Sequence, residues 1–246
     1  MRIRSRHIAP LLLVAACGSD SVLDPDDRPE PPPAASLDAD FSFFEGKTPG
    51  PGGTSSWTQA IGTVDAARTD MAPLRIPHAL VAAATAGQGQ RDGNAWVWTY
   101  STTVDGIDYD GYLRAIISGS QYEWDLVATA PDHAPPLEDY LWAKAFVAPN
   151  LFQGLWGFAN VDQAGDSLVA QASWIVNLEG GINFAFSASD SAGWRYERSA
   201  NGNVLTYVVF NQARARVTWF PDGTGNTWTI ATSTSCWNEE LNDVAC

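Results

Sequence analysis

The run Asn94-Ala95-Trp96-Val97-Trp98-Thr99-Tyr100-Ser101, followed by Val104-Asp105-Gly106-Ile107, decides the fold. Trp96, Trp98 and Tyr100 alternate with Val97, Thr99 and Ser101, the period of two of a strand with one buried face. Asp-Gly between alternating runs is the signal of a two-residue hairpin turn. That turn pairs Tyr100 with Gly111, Trp98 with Leu113 and Trp96 with Ala115. A second turn at Ser118-Gly119-Ser120-Gln121 pairs Ile117 with Tyr122, Ala115 with Trp124 and Leu113 with Leu126. Both registers gather the large apolar residues on one face. The other face receives Asp108, Asp110, Tyr112, Arg114, Glu123 and Asp125, with Arg114 opposite Asp125. A slip of one residue would mix the two sets, so the spacing predicts a three-stranded meander. Tyr100 across from Gly111 fits an aromatic ring covering a strand glycine.

Downstream, strand-like stretches fall at 139–147, 154–162, 167–177, 181–188, 193–199, 203–210, 213–220 and 226–233. Turn residues separate them at Pro149-Asn150, Ala164-Gly165-Asp166, Gly180-Gly181, Asn201-Gly202 and Pro221-Asp222-Gly223. Many short strands at regular spacing predict an all-β fold, an antiparallel and largely up-and-down meander of about 10–11 strands closing into a barrel or sandwich. Helical spacing is confined to the start of the domain. Trp57, Ala60, Ile61, Val64 and Ala67 mark one short helix, and Pro77 to Ala86, stopped by Gly87, marks a second. Acids and arginine on the polar face of the first strands exclude a barrel with that face in lipid.

The N-terminus reads differently. Arg2, Arg4 and Arg6 precede the apolar run Leu11-Leu12-Leu13-Val14-Ala15-Ala16, which stops at Cys17. A run this short fits a secretory signal, since a spanning helix needs about 20 apolar residues. Val14-Ala15-Ala16-Cys17 resembles the lipobox of bacterial lipoproteins. The resemblance implies cleavage after residue 16, acylation of Cys17 with palmitate-type chains, and residence in the cell envelope. Gly18 stands where an aspartate would favour inner-membrane retention in enterobacterial lipoproteins, so the same resemblance implies an outer-membrane anchor. Residues 17–40 are rich in proline and acids and carry no aromatic before the domain, a composition that predicts a disordered tether. Pro31-Pro32-Pro33 reads as spacer, with a proline-binding partner as the alternative. The division is therefore 1–16 signal peptide, 17–40 tether and 41–246 a single β domain.

Cleavage would remove three arginines and no acid, taking the formal charge from −14 to −17. Such a surface repels phosphate backbones and anionic headgroups, which excludes nucleic acid and charge-driven lipid binding. With Cys17 assigned to lipid, Cys236 and Cys246 remain as a pair in an oxidising compartment. Bridging them would close a small loop and stabilise the tail by roughly 2–3 kcal/mol. The Cys236-Trp237…Cys246 ending also resembles uncharacterised all-β envelope lipoproteins, which implies no activity.

Five groups of residues raise the question of chemistry. Asp105, Asp108 and Asp110 suggest a calcium loop, but the spacing departs from the twelve-residue pattern and a solvated hairpin face accounts for them. His133, beside Asp132 in a proline-rich loop, has no nucleophile motif to serve, and His78 sits at a helix start. Glu123 and Asp125, two apart on one strand face, have roughly the 7 Å separation of a glycosidase carboxylate pair. Among the 11 tryptophans, Trp142, Trp156, Trp194, Trp219 and Trp228 could form sugar-stacking platforms or line a cavity, though inward aromatics usually fill cores. Gly154-Leu155-Trp156 resembles the Gly-x-Trp of lipocalins, which implies a barrel carrying an apolar ligand. No metal site, cofactor motif or catalytic residue is read from the chain. The leading expectation is a non-enzymatic, lipid-anchored binding or structural module. A lipocalin-like carrier of a small apolar ligand and an envelope glycan hydrolase are the alternatives.

Overall fold

In a computed structural model of the chain, the described residues are 23, 27–150, 152–159, 168–176, 181–188 and 191–246. Two helices, α1 (Ser55–Met71) and α2 (Arg75–Ala86), precede fourteen strands. The strands are β1 (Gln90–Asp92), β2 (Ala95–Val104), β3 (Ile107–Ser118), β4 (Gln121–Ala130), β5 (Leu137–Val147), β6 (Gln153–Ala159) and β7 (Leu168–Val176). They continue as β8 (Ile182–Ser187), β9 (Ala192–Ser199), β10 (Gly202–Val209), β11 (Gln212–Trp219), β12 (Gly225–Thr229), β13 (Thr232–Trp237) and β14 (Asp243–Val244). Every ladder is antiparallel and joins sequence neighbours, so the sheet order is simply β1 to β14.

The antiparallel up-and-down meander is thus as expected, and β2, β3 and β4 pair in the registers read from the sequence. The strand number and the closure are corrected. The fourteen strands form one open sheet, not a barrel or a two-sheet sandwich, and no described pairing joins β1 to β14. Three strands escaped the reading. β1 and β14 are only three and two residues long, as protected edges tend to be, and β1 is wholly polar. The stretch expected as one strand at 226–233 is instead the β12–β13 hairpin, which turns at Ile230-Ala231 without a glycine, proline or asparagine.

One row across the inner face explains how the sheet curls. From β2 to β11 it reads Trp96, Ala115, Trp124, Ala145, Trp156, Ala172, Phe186, Trp194, Tyr207, Ala215. Strands lie only about 4.8 Å apart, too close for indoles on every strand of a concave face. Alternating alanine from β2 to β7 leaves each ring room over its neighbour, whereas Phe186, Trp194 and Tyr207 follow one another on β8 to β10, the last two with ring centroids 4.7 Å apart. Glycine makes room where rings are largest. A side chain on Gly154 would enter the Trp174 ring, and one on Gly225 would enter the Trp237 ring.

The concave face is filled by the segments that precede the sheet. The backbone stays helical through Met71, Ala72, Leu74 and Arg75, so α1 and α2 are two halves of one kinked rod. Pro73 and Pro77 mark the kink, because proline withholds an N–H from the helical ladder. The expected short helices are therefore corrected to a rod of about 45–50 Å, given 1.5 Å per residue. Its first half packs on β11 to β14 and its second on β2 to β4. Trp57, Ala60, Val64, Ala67, Leu80, Val81 and Ala84 are almost wholly buried there.

The boundary of the tether is also corrected. Residues 29–40 lie against the sheet as a strap, with Pro29, Pro32, Ser36, Leu37 and Ala39 buried and a single 3-10 turn at Ala34–Leu37. The indole N–H of Trp156 donates to Ser36 Oγ at 3.0 Å. Farther along, the Tyr196 hydroxyl reaches the Asp40 carbonyl at 3.4 Å. Composition suggested disorder because the strap has little apolar surface of its own; the aromatic side chains of distant strands supply the cover. The domain thus begins before residue 41. Residues 1–22, including the signal and Cys17, lie outside the described residues.

The last strands fasten the first helix. Thr54 offers no side-chain cap to α1. Instead the Asp243 carboxylate on β14 accepts from Ser55 N (3.0 Å), Ser55 Oγ (2.6 Å) and Ser56 N (2.8 Å). A carboxylate at a helix N-terminus satisfies orphan N–H groups and opposes the positive end of the dipole. These hydrogen bonds, that of the Ser55 hydroxyl first, lower the Asp243 pKa from 3.8 to about 2. A carboxyl whose pKa is lower in the folded state adds stability above its unfolded value and loses it as pH falls through the folded one. Wild-type stability should therefore decline between about pH 4 and pH 2. In acid titrations followed by circular dichroism, Asp243→Asn should be less stable at neutral pH and show a shallower decline in that window.

Candidate binding surface

The concave side is occupied, so the site question moves to the convex face of β3 to β7. Odd-numbered residues of β4 face outward, opposite Trp124 and Leu126. Asp125 lies between Arg114 on β3 and Lys144 on β5. Arg114 Nη2 meets Asp125 Oδ2 at 2.5 Å, and Lys144 Nζ lies 3.2 Å from Asp125 Oδ1 and 2.8 Å from Glu123 Oε1. With cations on both flanking strands, Asp125 is only 4% exposed although it lies on the outer face. The hydrogen bond to Asp125 raises the Arg114 pKa, and the bond to Glu123, then that to Asp125, raises that of Lys144. Two acids and two bases thus cancel within one ladder.

This arrangement decides how Glu123 and Asp125 are read. Each carboxylate is already held by a cation, whereas a glycosidase acid must present a proton to its substrate. The pair is built as a cross-strand ion ladder.

Beside the ladder the same face turns apolar. Phe146 on β5 lies opposite Leu155 on β6, and Ile175 on β7 is diagonal to Leu155 through the Gln153–Ile175 pair. Phe152, in the β5–β6 connection, donates its N–H to Asn150 Oδ1 at 3.2 Å and accepts from Val176 N at 2.7 Å. These four side chains are 38%, 37%, 48% and 58% exposed in the order Phe146, Leu155, Ile175, Phe152. Phe146, Leu155 and Ile175 lie within strands on this face, and Phe152 stands in the adjoining connection.

The remaining sequence candidates scatter. Asp105 and Gly106 form the β2–β3 turn with φ of 56° and 79°, and Asp105 pairs with Arg75 of α2. Asp108 lies opposite Thr103, whose hydroxyl donates to it at 2.6 Å, and Asp110 lies opposite Ser101. His133 sits in an exposed loop with Nδ1 2.8 Å from the Pro135 carbonyl and its ring against Tyr109 and Trp142. His78 is half-buried on α2, far along the chain from any partner of His133. Among the described residues no three His, Cys, Asp or Glu side chains converge as a metal site requires. Trp142, Trp156, Trp194 and Trp219 are buried in the core and Trp228 is half-buried, so they do not form an open stacking platform. Gly154 and Trp156 have local reasons to be where they are: the first admits the Trp174 ring and the second holds the strap.

Comparison with known proteins adds nothing to this geometry. No family model, no curated protein and no solved structure matches the chain. The surface must therefore be read from its own chemistry.

Cys236 and Cys246 form a disulfide with Cα atoms 5.3 Å apart, and Cys236 lies opposite Val244 in the ladder. The bridge ties down the β13–β14 connection, from which Glu240 O and Asn242 Oδ1 receive the N–H groups of Gly50 and Gly52. Its place is structural, beside the Asp243 cap. Lys144, Phe146, Leu155 and Ile175 were not singled out by sequence. The missing signal was the β4–β5 register, which is broken by irregularities at Leu126/Val127 and Ala128/Ala130.

Proposed function

We propose that the chain is a lipoprotein of the bacterial envelope, held at the outer membrane through an acylated Cys17, whose β domain acts as a non-enzymatic binding or structural module. The observation that carries the module reading is the division of labour between the two faces. The rod, the strap and the alternating tryptophan row occupy the concave side, and the convex side carries a charge-balanced ladder next to an apolar patch. Contiguous exposed apolar side chains rimmed by polar ones are a common mark of interaction sites. A lipocalin-like carrier would instead need open volume among the inward aromatics.

The lipid anchor has a direct test. Palmitate labelling of the full chain in a bacterial host should be lost completely in Cys17→Ser, together with detergent-phase partitioning. Retained label in the variant would refute the anchor. Mass spectrometry of small molecules extracted from the purified protein separates the module from the carrier, since a stoichiometric apolar compound would favour the latter.

A further inference from the structure

We propose that the Cys236–Cys246 bridge is a redox-sensitive latch on the entry to α1, which a dithiol reductant opens to free that entry while the sheet stays folded. The inference goes beyond the reading of the domain as a binding or structural module, and it does not depend on how the chain is anchored.

Three observations point to a latch. The first is what the bridged loop holds. Glu240, Asn242 and Asp243 all lie between the two cysteines, whose sequence separation is 10. Glu240 O and Asn242 Oδ1 accept from Gly50 N and Gly52 N, each at 3.0 Å, and Asp243 N donates to Gly53 O at 2.6 Å. The Asp243 carboxylate then caps Ser55 and Ser56. The approach to α1, from Gly50 to Ser56, is thus held from one short loop, and Thr54 supplies no side-chain cap of its own.

The second is how that loop is secured. β14 has two residues, both exposed, at the edge of the sheet, and it pairs with β13 only at Cys236 and Trp237. Leu241 is the buried side chain of the connection. So small a set of contacts belongs to the low-stability end of a fold, where segments open locally unless they are tied. Trp237 has separate support. It packs edge-on against Trp57 with ring centroids 5.6 Å apart, and its strand pairs with β12. The core therefore stays closed when the loop lifts.

The third is access. Cys246 is exposed and Cys236 is half-buried. Thiol–disulfide exchange requires a thiolate to reach one sulfur of the bridge, and Cys246 is the open side. Attack there forms a mixed disulfide between Cys246 and the reductant and expels Cys236 as a thiolate, which takes up a proton. The second thiol of the reductant attacks its own sulfur in the mixed disulfide. Cys246 leaves, is protonated in turn, and the reductant departs as a disulfide. Two electrons and two protons pass from the dithiol to the chain. The entropy returned to the loop raises its opening equilibrium by about 100-fold.

Dithiothreitol is the probe. The full chain carrying Cys17→Ser keeps two of its three cysteines, so alkylation and mass measurement report the bridge alone. After reduction under native conditions, hydrogen exchange should rise on the order of 100-fold over residues 50–57 and 238–246. Strands β2 to β11 should exchange as before, and re-oxidation should restore the slow rates. Adding Cys236→Ser and Cys246→Ser should reproduce the reduced pattern and abolish the response to dithiothreitol. In Asp243→Ala the cap is already missing, so exchange over 55–57 should start fast and rise far less on reduction. A bridge that opens only in denaturant, or unchanged exchange once both cysteines are alkylated, would overturn the proposal. So would acceleration across the whole sheet, which would make the bridge a support of the entire fold. An Asp243→Ala chain that responds as strongly as its parent would equally refute a latch acting through the cap.

Discussion

Trp156→Ala should lower the free energy of unfolding by about 3–5 kcal/mol, the range for removing a large buried aromatic. Trp156 is fully buried between Ala145 and Ala172, so the flanking alanines cannot expand into the space it leaves. The substitution also strands the Ser36 hydroxyl, itself fully buried, and an orphaned buried polar group costs about 1–3 kcal/mol more. Urea unfolding followed by circular dichroism measures the total. A finer comparison separates packing from hydrogen bonding. The Trp124 indole N–H has no partner among the described residues. Trp124→Phe should therefore cost less than Trp156→Phe, which gives up the bond to the strap. Limited proteolysis gives the structural readout: in Trp156→Phe, cleavage within residues 29–40 should accelerate ahead of cleavage in the sheet. Equal losses from the two phenylalanine variants, with unchanged proteolysis, would mean that the strap bond contributes little.

Gly111→Ala is expected to be almost as damaging, although it adds only one carbon. A Cβ at Gly111 would collide with the Val127 carbonyl oxygen on β4, and with the Tyr100 hydroxyl that donates to that same oxygen at 2.7 Å. A side-chain tip can swing away, whereas a carbonyl inside a ladder cannot. The cost should approach about 3 kcal/mol, the upper end for overpacking. Gly62→Ala supplies the contrast. Nothing lies within 4 Å of a Cβ there, and the backbone is helical. Alanine should stabilise the rod by about 0.5–1 kcal/mol, because glycine loses more conformational freedom on folding. Thermal melts of the two variants should therefore move in opposite directions.

The same residues explain how far the sequence could be read. Trp96, Trp98, Tyr100 and Gly111 alternate so strongly that one turn sets the register of three strands, and Arg114 opposite Asp125 follows from it. That half of the candidate surface was legible. The apolar half was not. Phe146 stands between Ala145 and Val147, so β5 reads as apolar on both faces and alternation cannot say which residues point outward. The strap was misread for a physical reason. Its own composition argues for disorder, and its order comes from Trp156 and Tyr196, which lie 120 and 156 residues farther along the chain. Local pattern does not carry information of that range. Continuity of the rod was hidden in the same way by Pro73 and Pro77, which suggest separate helices when the packing surface beneath them is unknown.

The order of the sheet has a consequence for how the chain is made. Each ladder joins neighbours, so strands can be added one after another as they emerge, and most pairing requires only short loops to close. The filler comes first and the wrapping last. α1 meets its part of the sheet only when β11 to β14 arrive, and Asp243 reaches Ser55 across 188 residues. Until then a growing chain displays an unsheathed apolar helix, the kind of surface on which aggregation begins. A C-terminally truncated chain is the state most in need of a holding chaperone, and completion of the final hairpin is the event that releases it.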